Sequence, residues 1–405
     1  MIFSQEEFNS RIAKVKQSMN KRGVDILLTT DPSNMNYLTG YDGWSFYVPQ
    51  GVIISIDEDQ PFWFGRKQDS NGARITTFLN EENIFGYPER LIQSPPLHPY
   101  DYVVKLFKDK NWSSKNIGVE MDSYYYTAEN HRRLKDNLTN AKFINAHLLI
   151  NWVRYVKSEN EIKFMKDAGT LVKAGMTTAF DSIKEGVKQS TVAGKIQNTL
   201  IAGNDTTQMG GEYSGLGIIL ASGRSASASH LTPSDKKFEN NEGTIIELGG
   251  VKHRYHCALS RTVYIGKPDP KISDTLKITN EGIEKALEQT NPGNSCHNVA
   301  VAFWSVLEKY GLEKESRAGY SIGIGYPPDW GEHTLSIRKN EKTLLEPNVT
   351  YHLMCGMWMD TWGLELSESV RVTESGYELL TQVPRDCLLY TSDAADEGLG
   401  VDLGG

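Results

Sequence analysis

Short apolar runs bounded by polar or turn residues dominate the first 150 positions. DILLTT at 25–30, GVIISI at 51–56, PFWFG at 61–65 and NIGVEM at 116–121 read as strands of a mostly buried sheet, because a strand covered on both faces loses its polar alternation. Helical patterns lie between them, so an α/β domain is predicted over 1–155. The pattern changes near residue 158. There Ser158-Glu159-Asn160-Glu161 has the form of a capping box, with a hydroxyl for the backbone amide and a carboxylate returning to the cap. Behind it Ile162, Met165, Ala168, Val172, Met176 and Ala179 recur at three- and four-residue spacing, which turns one stripe of a long helix towards a core.

A second helix is predicted around Val192, Ile196 and Leu200, then two β runs at 244–250 and 256–266 joined by the polar turn 251–255. The same order returns. Helices through Leu276 and Ile283 and through Val299, Phe303 and Val306 precede strands at 349–359 and 364–374. Two halves of this form would close a bowl floored by antiparallel sheet, placed over 156–386. The last stretch, CLLYTSDAADEGLGVDLGG at 387–405, carries no Lys or Arg. It resembles a translated sequencing adapter and is read as a non-native tail.

Composition narrows the function. With 405 residues, 39% of them hydrophobic and 23% charged, the chain has the length for two domains and the make-up of an ordinary soluble protein. A formal net charge of -8 supplies no basic field for a phosphate backbone, so no nucleic-acid partner is expected. The start MIFSQEE lacks a secretory signal and no 18-residue apolar run occurs, so neither a membrane partner nor export is expected and a cytoplasmic location is. Cys257, Cys296, Cys355 and Cys387 form no C-x-x-C pair and read as reduced, structural thiols.

The motifs then carry a resemblance. TIIELGG, YHCALSRT, YSIGIGY, NVTYHLMCG and GLELSESVRVTESG resemble the metal-binding segments of the creatinase, aminopeptidase P and prolidase family, over residues 10–386. The resemblance implies a creatinase-type α/β N-terminal domain followed by an α+β pita-bread domain with a curved antiparallel sheet. Those metallopeptidases hold two divalent ions with two Asp, one His and two Glu, since hard cations want several anionic oxygens. The motifs put Glu247, Ala258, Ile322, Met354 and Ser367 at those five positions. A metal pair is therefore not expected, and no cofactor is.

The chemistry that remains is a set of acids and an imidazole. His230, in SASHLTP, matches the family's catalytic histidine, and an imidazole moves protons near neutral pH. Glu247 lies inside an apolar run, where a carboxylate must be paired or shifted in pKa. Glu365 and Glu368 are three apart on one predicted strand, hence on opposite faces, and Glu365 is favoured for substrate contact. NMNYLTGYDGWSFYVPQ at 34–50, GVEMDSYYYTAENHRRL at 118–134, SRTVYIGKP at 260–268 and GIGYPPDWGE at 323–332 resemble the ectoine-hydrolase branch of the family. That resemblance implies metal-free opening of a cyclic amidine by a homodimer acting on a small zwitterion. Glu247 would attack or activate water, and His230 would protonate the departing nitrogen. Trp44, Phe46 and Tyr47 would offer aromatic faces to the delocalised cation. Arg66 would clamp the carboxylate, with Tyr326, Asp329 and Glu332 also on the substrate. A creatinase-like enzyme for another amidine or guanidine, and a non-catalytic peptide-binding module, stay open as alternatives.

Overall fold

The computed structural model describes residues 2–386 and the two-residue strand Leu388–Leu389. Cys387 and residues 390–405, most of the segment read as an appended tail, lie outside the described residues. The chain divides between Tyr155 and Val156 into two compact units.

The first unit contains helices α1 (Gln5–Lys21), α2 (Pro32–Thr39), α3 (Ser70–Thr76), α4 (Pro99–Asp109), α5 (Ala128–Asn137) and α6 (Leu149–Val153). Its strands are β1 (Ile26–Thr29), β2 (Gly51–Ser55), β3 (Phe62–Arg66), β4 (Ile84–Tyr87), β5 (Asn116–Val119) and β6 (Lys142–Asn145). They form one mixed sheet in the order β4-β3-β2-β1-β5-β6. Alternate side chains fill two cores. Leu27, Val52, Ile54 and Trp63 pack on one face with Val15 and Met19 of α1, while Ile26, Leu28, Ile53, Phe62 and Phe64 pack on the other with Val103 and Phe107 of α4. Burial on both faces is the reason the sequence shows continuous apolar runs there.

The second unit opens with α7 (Glu159–Ser182) and α8 (Gln189–Ala202), followed by β7 (Ile219–Ser222), β8 (Glu242–Lys252) and β9 (Tyr255–Ile265). Then come α9 (Pro270–Glu288), α10 (Cys296–Lys309), β10 (Gly319–Tyr326), β11 (Asp329–Ile337), β12 (Thr350–Trp358), β13 (Gly363–Thr373), β14 (Gly376–Leu379) and β15 (Leu388–Leu389). The capping box is formed: Ser158 accepts from the Glu161 amide, and Glu161 accepts from the Ser158 amide. The sheet runs β14-β13-β12-β10-β9-β8-β7, with β11 on β10 and β15 on β9.

The β8–β9 turn is tighter than the sequence suggests. The strands pair through Lys252 and Tyr255, leaving only His253 and Arg254, both left-handed at φ 49° and 68°. Two consecutive positive φ values make the tight hairpin that matches strand twist. The glycine pair after Glu247 serves close approach. A Cβ on Gly249 would stand 2.6 Å from Ser214 Oγ and 2.8 Å from Trp330 Cζ3, and one on Gly250 would stand 2.1 Å from the Ala168 carbonyl of α7.

Candidate active site

Glu247 lies on β8 opposite Ser260 of β9. Glu365 lies on β13 opposite Gly356 of β12. His352 is four residues before Gly356 and faces Tyr320 of β10 across the ladder, so strand alternation puts Glu365, His352 and Tyr320 on one face of the sheet. All four chemical groups are buried, with Glu247 3%, Glu365 1%, His352 0% and Tyr320 9% exposed.

The two carboxyl groups are electrostatic neighbours. Burial pushes Glu247 well above the usual carboxylate range, and the charges of Glu365 and Asp329 push it further. Burial raises Glu365 to about 7, against the pull of the Lys314 ammonium and the Ser260 hydroxyl. Like charges so placed disfavour double ionisation, so near neutral pH the pair keeps at least one proton and carries at most one negative charge. Lys314 is held over this end of the site by bonds to the Gly356 carbonyl at 2.6 Å and Ser316 Oγ at 2.7 Å.

A hydrogen-bond chain borders the pair. Trp330 Nε1 donates to Tyr320 Oη at 2.9 Å, and Tyr320 Oη stands 3.1 Å from His352 Nδ1. With the hydroxyl accepting from Trp330, its own proton can point at His352 Nδ1, an arrangement in which the ring proton sits on Nε2. Burial lowers His352 to about 3, so the ring is neutral. His352 Nε2, Ser260 Oγ and Glu365 Oε1 are buried without a normal hydrogen bond among the described residues. Each such atom costs about 1–3 kcal/mol, and unpaired polar atoms in a buried wall suit the polar groups of a ligand. His256, by contrast, is fixed at both nitrogens, accepting from the Gly215 amide and donating to the Arg254 carbonyl, each at 2.9 Å.

The residues singled out in the sequence fare differently. Glu247 and Glu365 come together. Glu368, on the other face of β13, is bound by Arg261 at 2.9 Å and Arg385 at 2.7 Å. His230 is exposed in a loop, with Nδ1 3.3 Å from Ser229 Oγ. Tyr326 is buried, with the Arg254 guanidinium 5.4 Å from its ring centre. Asp329 accepts from the Gly331 amide and pairs with His333, each at 2.9 Å. Glu332, expected on the substrate, is fully buried in an ion pair with Lys157.

In the first unit Arg66 is paired within the protein. Its Nε and Nη2 meet the two oxygens of Glu89 at 2.6 and 2.5 Å, and its Nη1 meets Tyr47 Oη at 3.0 Å. The two-pronged donor meant for a substrate carboxylate is already engaged. Trp44 and Phe46 pack at 4.8 Å between ring centres, and Trp44 and Tyr47 are 58% and 66% exposed. Tyr320, His352 and Lys314 were not found from sequence. The glycine register pointed to Ile322, whereas Tyr320, two residues earlier, is the one that senses both carboxyl groups.

The donor set does not fit a divalent pair. Ala258 faces Gly249 and Met354 faces Ser367, so these positions present no anionic oxygen. Among the described residues no three His, Cys, Asp or Glu side chains converge where a metal ion could sit.

Comparison with known proteins follows the same lines. Residues 11–156 match the creatinase/prolidase N-terminal domain and residues 163–374 match metallopeptidase family M24. Ectoine hydrolase of Halomonas elongata is 42% identical over 388 residues, covering 95% of this chain and 97% of that protein. Among solved structures, prolidase from Thermococcus sibiricus superposes with a TM-score of 0.83 at 18% identity, over 96% of this chain and all of that one. Prolidase from Pyrococcus horikoshii gives 0.77 at 20%, over 93% and 99%. With its creatinase/prolidase N-terminal domain and its antiparallel bowl, the chain belongs to metallopeptidase family M24.

Proposed function

We propose that this protein is a hydrolase that opens the cyclic amidine ring of ectoine to N-acetyl-2,4-diaminobutyrate, without a metal. The substrate is carried by the full-length likeness to the Halomonas ectoine hydrolase. The chemistry is carried by the buried pair Glu247 and Glu365, whose raised pKa values let one act as acid and the other as base. An amidinium carbon is electrophilic without a Lewis acid, so general acid and base are what its hydrolysis needs.

The ionised member, Glu365, takes a proton from water as its oxygen bonds to the amidine carbon. The ring C–N bond then breaks, and the departing nitrogen takes the proton of Glu247 and then that of the new hydroxyl, leaving as an ammonium while the carbon becomes an amide carbonyl. One proton has entered the pair and one has left, so it is ready again after a proton shift between its members. His352 Nε2–H and Ser260 Oγ supply hydrogen bonds to the oxygen as it forms. His230 is proposed as an additional proton carrier. If the carboxyl pair performs both transfers, His230→Ala keeps turnover within a few-fold, and loss by roughly 10² or more would return the acid's role to the imidazole. Trp44, Phe46 and Tyr47 remain proposed faces for the cation, and a homodimer in the cytoplasm the proposed setting.

The test is incubation of chelator-treated protein with ectoine, hydroxyectoine, creatine and a Xaa-Pro dipeptide. Consumption of ectoine supports the reading. Cleavage of the dipeptide alone, dependent on added metal, would overturn it.

A further inference from the structure

The loop leading into β10 carries a second cation beside the site. Arg317 is partly buried, and its guanidinium lies 4.6 Å from the centre of the Tyr320 ring. Among the described residues it makes no hydrogen bond and no ion pair. It lines a cavity of about 430 Å³ with Trp304, Glu315, Ser316, Arg338 and Lys339. Lys339 is drawn off by Glu308 at 2.6 Å. Arg338 has only Ser336 Oγ, at 2.9 Å from its Nε. The acid on the wall, Glu315, is exposed and forms no ion pair among the described residues. Two guanidinium groups therefore share a cavity in which neither is bonded to a carboxylate among the described residues; Arg338 disfavours the charge on Arg317, and Asp329 offsets this only through its field.

We infer that Arg317, with Arg338 beside it, holds the carboxylate of the substrate. Guanidinium donors match a carboxylate's two oxygens in spacing and plane. The position suits that role: Tyr320 presents its ring to Arg317 and its hydroxyl to His352, and it is the electrostatic neighbour of Glu247 and Glu365. A zwitterion can then reach from the anion cavity along Tyr320 towards the acids. This assigns to the second unit the carboxylate contact expected of Arg66, which is paired with Glu89. The substrate side of the inference rests on the ring-opening reading.

Kinetics of Arg317→Ala and Arg317→Lys on ectoine and on 2-methyl-1,4,5,6-tetrahydropyrimidine, the same ring without its carboxylate, test it. Arg317→Ala is expected to raise KM for ectoine roughly 10- to 100-fold, the range for losing a charge-assisted bidentate bond. It should do so with kcat little changed, so the preference for ectoine over the carboxylate-free ring collapses, and Lys should recover part of it. A KM within two-fold of wild type, with the preference intact, would overturn the anion site and leave ring opening standing. If the wild type consumes no ectoine, acetate protection against thermal unfolding decides instead. Saturable protection abolished by Arg317→Ala upholds the site while ring opening falls, and protection that survives the substitution, or is absent from the wild type, overturns the site.

Discussion

A carboxylic acid among apolar strands keeps its proton unless something nearby stabilises the anion, and the charge of Glu365 does the opposite for Glu247. Glu365→Gln and Glu247→Gln should each lower turnover by at least ~10²-fold while the fold survives, as for the loss of an acid or base. The sign of the pH effect follows from the raised pKa of Glu365. The neutral buried form is the favourable one, so its contribution to stability is complete below the unfolded pKa near 4.5 and is lost as pH rises through about 7. Relative to Glu365→Gln, the wild type should therefore lose on the order of 3 kcal/mol between pH 4.5 and pH 8. Urea unfolding of both proteins across that range checks it, and a gap that stays constant would remove the shifted acid. Glu247 was legible in the sequence because a charged residue inside Ile245-Ile246-Glu247-Leu248 has no cheap apolar explanation. Tyr320 and His352 were not, since one aromatic or one histidine in a strand is ordinarily core. The engagement of Arg66 was hidden because its partner Glu89 is 23 residues away and is met only through the fold.

At the scale of elements, strands with a continuous apolar run were visible and strands without one were not. The β1, β2, β3 and β5 runs appear as read, whereas β6 has an exposed-to-intermediate pattern and four residues only, too little surface to leave a period. The β10–β11 hairpin was missed for another reason. GIGYPPDWGEH carries the Gly and Pro of a loop, and such residues ordinarily punctuate strands. Its place is secured by cross-strand neighbours, with β10 bonded to β9, β11 and β12. One of its residues, Trp330, reaches back over Gly249 of β8. Gly249→Ala would thrust a methyl into that indole and displace the Trp330–Tyr320 bond. A stability loss of about 1–3 kcal/mol is expected, with turnover reduced as well. Thermal unfolding and the ectoine assay measure both, and a variant unchanged in each would show that the indole's approach is dispensable.

Over the whole molecule, the second unit is tied by a strap of residues just before the end of the described chain. Arg261 donates to the Val383 and Pro384 carbonyls at 2.6 and 2.8 Å, while Arg385 meets Glu368. Ending the chain at Asp386 should leave stability and turnover unchanged, whereas ending it at Gln382 should cost on the order of 3 kcal/mol by unsettling a buried ion pair. Thermal unfolding of the two truncations separates a structural strap from a dispensable tail. Among the described residues no helix is long and apolar enough to cross a membrane, and Cys257, Cys296 and Cys355 are buried with thiols pushed up to about 12, which makes them unreactive. The family's usual reaction runs on a metal pair, and this bowl offers Ala258, Met354 and Ser367 where the oxygens would be. The most direct test is the rate of ectoine loss before and after exhaustive chelation, with metal content measured on the same sample. The account predicts an unchanged rate at far less than one metal ion per chain. Stoichiometric zinc, manganese or cobalt, with activity that disappears on chelation and returns when the ion is restored, would contradict it.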